Sequence, residues 1–258
     1  MEGLKDRVSV VTGAARGIGR AHAQRLAREG STVVVADIDE QGARDTAEDL
    51  RRQAGVTALA VPVDISDVGS CHEAVASVLK EYGRIDILVN NAAIFGGMDM
   101  RDTSPEYLDK MIAVNQVGAW KMSREVTPTM REQGRGRIII QASDAAYMYN
   151  IPALTPDLPN FSYSWTKWAL IGLTKMMAGA LASSGITVNC IAPGLTLTEA
   201  AQGLIGETMR KQLIAQTPMK RAMEADEIAA AMAFLASDEA SAITGQVLCV
   251  DGGAAMPA

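Results

Sequence analysis

The chain has 258 residues, 48% of them hydrophobic, which suffices for a sizeable core without staples. Its formal charge of −6 and the lack of a basic stripe argue against a nucleic-acid or membrane-surface partner. Three cysteines in no metal or redox spacing (Cys71, Cys190, Cys249), two isolated histidines (His22, His72) and no apolar run near the ~18 residues of a membrane span point to a cytoplasmic protein without a metal.

Taken in chain order, short apolar runs alternate with amphipathic segments. Strands are expected over 8–11, 32–36, 58–63, 86–90, 136–142, 186–191 and 247–250, and helices over 17–29, 40–53, 68–82, 105–131, 162–183 and 225–236. This rhythm predicts an α/β fold, a single-domain doubly wound parallel sheet (Rossmann fold) with helices on both faces. No linker or repeat divides residues 1–258. Two stretches break the rhythm: 149–160, with Pro152, Pro156 and Pro159, and Leu195 to Pro218, part of a segment that reads as irregular to about Met223. Loops of that length commonly carry function.

The run Val10-Val11-Thr12-Gly13-Ala14-Ala15-Arg16-Gly17-Ile18-Gly19 leads from a strand through a turn into a helix. There Gly13 permits the tight turn, Gly17 lets backbone approach a pyrophosphate, and Gly19 lets the helix pack closely on the sheet. The helix N-terminus offers its N–H groups to the anion. The second strand closes on Asp37, whose carboxylate can bond both ribose hydroxyls of an adenosine and would repel a 2′-phosphate. Ile38 beside it supplies no arginine to receive that phosphate. NAD(H) is therefore expected, with Arg16 as the contrary hint of NADP(H). Asp37 can also cap the following helix.

Further along, Tyr163 and Lys167 stand four residues apart, so a helix places phenol and ammonium on one face. A free phenol titrates near ~10, and the cation is expected to favour the phenolate, making Tyr163 an acid or base at neutral pH. Tyr147 and Tyr149 compete for this role, but the residues four positions on are Ile151 and Ala153.

The spacing Gly-x-x-x-Gly-x-Gly after Thr12 is followed in order by Asp64, Asn90-Asn91-Ala92, Asn115, Ser143, Tyr163 with Lys167, Pro193-Gly194, and the ending Ile243-Thr244-Gly245-Gln246 to Asp251-Gly252-Gly253. The series resembles the short-chain dehydrogenase/reductase family over nearly the whole chain. The resemblance implies an NAD(H)-dependent oxidoreductase interconverting a secondary alcohol and a ketone. It assigns a catalytic tetrad to Asn115, Ser143, Tyr163 and Lys167. Tyr163 would exchange the proton with the substrate oxygen, and Lys167 would lower its pKa and hold the nicotinamide ribose. Ser143 would bond the same oxygen, and Asn115 would hold a water linking Lys167 to solvent.

Besides the residues of the glycine turn (Gly13, Arg16, Gly17, Ile18, Gly19), Asp37, Ile38, Tyr163 and Lys167, the resemblance implies cofactor contacts at Asp64, Ile65, Asn91, Ala92, Ala93, Pro193, Gly194, Leu195, Thr196 and Thr198. Ala93 stands where glycine is commoner, and Asn90 reads as a brace between neighbouring strands. A homotetramer is implied, with the helices about 105–131 and 162–183 at an interface. So is a mobile substrate lid over 195–223, in which Met209, Met219 and Met223 can offer an apolar lining. One departure stands out: Tyr163 follows Ser143 by 20 residues, several more than is usual in the family. That enlarged loop, with Asp144, Tyr147, Tyr149 and Asn150, is expected to shape the substrate pocket. The alternatives are an NADPH-dependent carbonyl or 3-oxoacyl reductase and an inactive nucleotide-sensing protein.

Overall fold

A computed structural model describes residues 1–94, 104–147, 162–199 and 206–257. Its strands are β1 (Val8–Thr12), β2 (Thr32–Asp37), β3 (Ala58–Pro62), β4 (Ile87–Asn90), β5 (Gly136–Gln141), β6 (Ile186–Pro193), β7 (Thr196–Leu197), β8 (Met223–Glu224) and β9 (Val247–Val250). Seven of them form one sheet in the order β3-β2-β1-β4-β5-β6-β9, every pairing parallel. This is the doubly wound α/β Rossmann sheet that the alternation predicts.

The helices are α1 (Gly17–Arg28), α2 (Glu40–Ala54), α3 (Val68–Tyr82), α4 (Pro105–Met111), α5 (Gly118–Glu132), α6 (Ser162–Leu181), α7 (Glu207–Gln216) and α8 (Ala225–Ala236). Successive strand residues point to opposite faces, so each strand feeds two cores. Val10, Val34, Ile138, Ile140 and Val188 pack with Val75 of α3, Met122 and Val126 of α5, and Leu170 of α6. Val11, Val33, Val35, Ile139 and Ile191 pack with Leu26 of α1, Leu50 of α2 and Met232 of α8. Each such side chain contributes roughly 1.5–3 kcal/mol on burial, and the continuous Val/Ile runs reflect coverage on both sides.

Helix ends follow local chemistry. Asp67 accepts the Ser70 N–H at 2.6 Å to start α3, and Gly83 ends it in the left-handed region at φ +69°. The cap of α2 is Asp39, which accepts the Gly42 N–H at 3.0 Å, so the capping role considered for Asp37 falls two residues later. The expected helix 105–131 is broken into α4, a π-helical turn Ile112–Val117, and α5. Nor is 195–223 irregular throughout. β7 pairs with β8 through Thr196 and Met223, and α7 lies between them. None of the α7 residues is buried, so no apolar stripe announced it.

β1 and β4 are neighbours at the centre of the sheet, where the chain winds outward in both directions. Ligands of such sheets bind in the crevice beyond the carboxyl ends of these strands. Gly13 and Asn91 follow β1 and β4 directly. Among the described residues no helix is long and apolar enough to cross a membrane.

Candidate active site

Gly13 and Gly17 take positive φ, +67° and +60°, which residues with a Cβ rarely adopt. A Cβ on Gly13 would lie 2.7 Å from the Ala92 Cα, and one on Gly19 would lie 2.0 Å from the Gly13 carbonyl oxygen and 2.5 Å from Asn91 Nδ2. Gly19 therefore lets α1 close onto the turn and Asn91, more than onto the sheet itself. Gly17 is open: a Cβ there would first meet Thr198, at 3.8 Å. Arg16, the N-cap of α1, makes no side-chain cap bond, which leaves the first-turn N–H groups without a side-chain acceptor there.

The Asp37 carboxylate is fixed by two backbone donors, the Ala15 N–H at 2.9 Å and the Asp39 N–H at 3.0 Å. Ile38 beside it is 73% exposed. The Asp64 carboxylate accepts the N–H and hydroxyl of Ser66 at 2.8 and 2.7 Å. One cleft of about 1240 Å³ is lined by Gly13, Arg16, Gly17, Ile18, Gly19, Asp37, Ile38, Asp64, Ile65, Asn91, Ala92, Ala93, Pro193, Gly194, Leu195, Thr196 and Thr198, together with Ser143, Tyr163 and Lys167. Asn115 is not on its wall. Buried in the π turn, it accepts the Ile94 N–H at 2.8 Å and donates to the Ile94 carbonyl at 2.9 Å, bracing the segment after β4. Asn90 donates to Ser123 at 2.9 Å and so ties β4 to α5, not to a neighbouring strand.

At the end of β5, Ser143 Oγ accepts the Ala145 N–H at 3.2 Å, can donate to Asp144 Oδ1 at 3.1 Å or the Pro193 carbonyl at 3.5 Å, and shares a hydrogen bond with Tyr163. Lys167 Nζ donates to the Gln141 carbonyl at 2.9 Å and lies 5.7 Å from the centre of the Tyr163 ring. The expected lowering of the phenol pKa is reversed. Burial, opposed by the Ser143 bond and reinforced by the Asp144 charge, pushes Tyr163 up to about 12. Burial also lowers Lys167 to about 8, where it remains a cation at neutral pH. In this site the cost of desolvating a phenolate exceeds the attraction of a cation that is itself desolvated.

Sequence reasoning missed a buried polar chain behind these residues. Asn91 Nδ2 donates to the Thr12 and Gly13 carbonyls, so its Oδ1 accepts Gln141 Nε2 at 2.8 Å. Gln141 Oε1 must then accept from His22 Nε2, at 2.7 Å, which makes His22 a neutral Nε2–H tautomer with an unpartnered Nδ1. Burial lowers His22 from 6.5 to about 4. Gln141 thus serves the glycine turn by its amide and Lys167 by its carbonyl. The signal was a glutamine ending an otherwise all-isoleucine buried run just before Ser143.

The cleft is further lined by Tyr107 and Lys110 of α4, Asp144, Tyr147, and Met209, Gln212, Leu213 and Gln216 of α7. Tyr147 is held edge-on to Trp168 with ring centres 5.5 Å apart. Of the three methionines expected to line the pocket, Met209 does so, Met223 is core, and Met219 is 63% exposed. Tyr149, Asn150, Pro152, Pro156 and Pro159 lie outside the described residues.

A glycine cradle at the switch point of a doubly wound sheet, with a serine, tyrosine and lysine on the same cleft wall, defines a nucleotide-binding α/β oxidoreductase. Comparison with known proteins gives the narrower class. Residues 13–255 match the family model described as enoyl-(acyl carrier protein) reductase. An uncharacterised oxidoreductase of Mycobacterium tuberculosis is 42% identical, with 96% of each chain covered. The 7alpha-hydroxysteroid dehydrogenase of Bacteroides fragilis is 36% identical over 98% of this chain and 96% of its own. The structure of a 3-ketoacyl-(acyl-carrier-protein) reductase of Brucella melitensis complexed with NADH is 34% identical, covers 98% of this chain and 100% of its own, and superposes with a TM-score of 0.86. The chain belongs to the short-chain dehydrogenase/reductase family.

Proposed function

We propose that the chain is one dehydrogenase domain spanning residues 1–258 that interconverts a secondary alcohol and a ketone with NAD(H). The observation that carries this reading is the contact of Tyr163 with Ser143, beside Lys167, on the wall of the cleft that also holds the glycine turn. The turn fits a dinucleotide, because the positions where a Cβ would collide are glycines and the start of α1 lacks a side-chain cap. Gly13, Gly17, Gly19, Asp37, Asp64 and the segment Pro193–Thr198 would hold the cofactor. When bound, it supplies a hydride acceptor or donor at the nicotinamide. Tyr163, protonated in the resting site, donates to a ketone oxygen or accepts from an alcohol, Ser143 orients that oxygen, and Lys167 supplies positive charge beside them. Asn115 serves the tetrad by fixing the backbone at Ile94.

The preference for NAD(H) rests on the anchored Asp37 carboxylate, a like charge to any 2′-phosphate, worth roughly 1–4 kcal/mol in a solvated site. Assayed on a panel of secondary alcohols, the protein should prefer NAD⁺ over NADP⁺ by about ten-fold or more in kcat/KM, and Asp37→Ser should shrink that ratio by about the same factor. A parent that favours NADP⁺ would establish the second reading, an NADPH-dependent carbonyl or 3-oxoacyl reductase. The observation for that reading is Arg16, exposed on the cleft wall at the glycine turn.

The same proposal includes a cytoplasmic setting, consistent with three free thiols, and a homotetramer. Trp120 of α5 and Trp165, Trp168 and Met176 of α6 are 45, 47, 54 and 76% exposed, large apolar groups on the two helices named for the interface. Sedimentation should therefore report four 27.3 kDa chains, and Trp165→Glu with Trp168→Glu should give smaller species. A parent that sediments as a monomer would remove the assembly from the proposal.

A further inference from the structure

Of the buried residues of α1, only His22 has a polar side chain, and it stands one helical turn after Gly19. His22 Nε2 is 2.7 Å from Gln141 Oε1, and Gln141 Nε2 is 2.8 Å from Asn91 Oδ1. Asn91 Nδ2 in turn reaches the Thr12 and Gly13 carbonyls at 2.9 and 3.0 Å. These bonds close a circuit: Gly13 leads into α1, α1 carries His22, and His22 returns through the end of β5 and the residue after β4 to Gly13. There is little slack in it, since a Cβ on Gly19 would lie 2.5 Å from Asn91 Nδ2.

Each bond has a fixed direction. Two carbonyls accept from Asn91 Nδ2, and a turned amide would set its oxygen against both. Asn91 Oδ1 must therefore accept from Gln141, whose own oxygen must accept from His22. The imidazole meets this demand at a cost. Its Nδ1 is buried with no partner among the described residues, a defect that an apolar side chain in its place would not have. Burial lowers the pKa of His22 to about 4, so at neutral pH the ring is uncharged and its single proton stays on Nε2. Gln141 and Asn91 line the cleft, whereas His22 lies behind its wall.

We infer that His22 and Gln141 are positioning residues for the dinucleotide: together they set the Asn91 amide, which holds the glycine turn and the first turn of α1 in the shape that receives the pyrophosphate; the inference rests on the dinucleotide reading of the cleft. His22 acts only through Gln141. Without its N–H, Gln141 Oε1 is left buried with no donor, the Gln141 amide is free to turn, and Asn91 Oδ1 loses its fixed donor.

His22→Leu should weaken binding of NADH, or of NADPH where the parent prefers it, by about ten-fold, read as Kd from nicotinamide fluorescence with no substrate present. Gln141→Leu should do the same. Because the two side chains act in series, the double variant should bind no more than about two-fold more weakly than either single one, whereas independent roles would multiply the losses. His22→Gln, which carries an N–H donor in place of Nε2, should bring Kd back to within about three-fold of the parent. A further readout needs no substitution: nitrogen-correlated proton NMR of the parent should find the His22 proton on Nε2, with a resonance that shifts when the dinucleotide saturates the protein. A folded His22→Leu that binds within about two-fold of the parent, or losses that multiply in the double variant, would overturn these roles and leave the cofactor reading standing. Should the leucine variants fail to fold, an Nε2–H resonance unmoved by the dinucleotide, or a proton on Nδ1, does the same. A parent that binds neither NADH nor NADPH would sink the cofactor reading, and these roles with it.

Discussion

Tyr163→Phe should lower kcat by about 10²–10⁴-fold in both directions while leaving the cofactor Kd within roughly five-fold of the parent. The asymmetry follows from what is removed. The phenylalanine ring keeps its place on α6, 5.7 Å from Lys167 Nζ, and nothing in the glycine turn or at Asp37 is touched. Only the hydroxyl is lost, and with it the proton donor beside Ser143. A phenol held near 12 is a poor base at neutral pH, so oxidation by the parent should quicken as the pH rises above 7, whereas the variant should show no such dependence. Stopped-flow turnover against pH, with cofactor binding followed by fluorescence, checks both parts. Near-parental turnover by Tyr163→Phe would remove Tyr163 from the chemistry, and a large rise in Kd with kcat unchanged would make it a binding residue.

What the sequence made legible is what backbone spacing alone carries. Gly13, Gly17 and Gly19 are readable because each occupies a place where a Cβ is strained, where it would collide, or where the cleft needs open backbone. The parallel α/β sheet follows from buried Val/Ile runs separated by helical segments, and the Tyr163/Lys167 pairing from the pitch of a helix. Features that depend on partners distant in sequence were not readable. The side chain of Asn115 is committed to Ile94, 21 residues away, and its helix carries a π turn that no periodicity announces. The pKa of Tyr163 moves opposite to expectation because spacing reports the lysine beside it but not the depth at which both are buried. His22 looked like an isolated core histidine, and it is core, yet it terminates a chain of amides reaching Lys167 through Gln141.

Two of these buried groups oppose each other in the dependence of stability on pH, and Asp144→Asn should expose the conflict. His22 has a folded pKa of about 4 against 6.5 in the unfolded chain. Between those values only the unfolded state binds the proton, so acidification from 6.5 toward 4 destabilises the fold, by up to about 3 kcal/mol. Asp144 runs the other way, with burial raising its folded pKa to about 6 against 3.8 unfolded. The native state binds more protons across that interval, so this group's contribution is full below 3.8 and is lost as pH rises through 6, again about 3 kcal/mol in all. Over roughly pH 4 to 6 the two slopes nearly cancel in the parent. Removing the carboxyl should therefore stabilise the protein at pH 7 by up to about 3 kcal/mol, have no effect near pH 4, and leave the acid-side decline to which His22 contributes no longer offset by Asp144. Urea midpoints of parent and variant at matched pH give the difference directly, free of the surface carboxylates common to both. Parallel curves would mean that Asp144 titrates alike in both states, which would withdraw its burial as the cause.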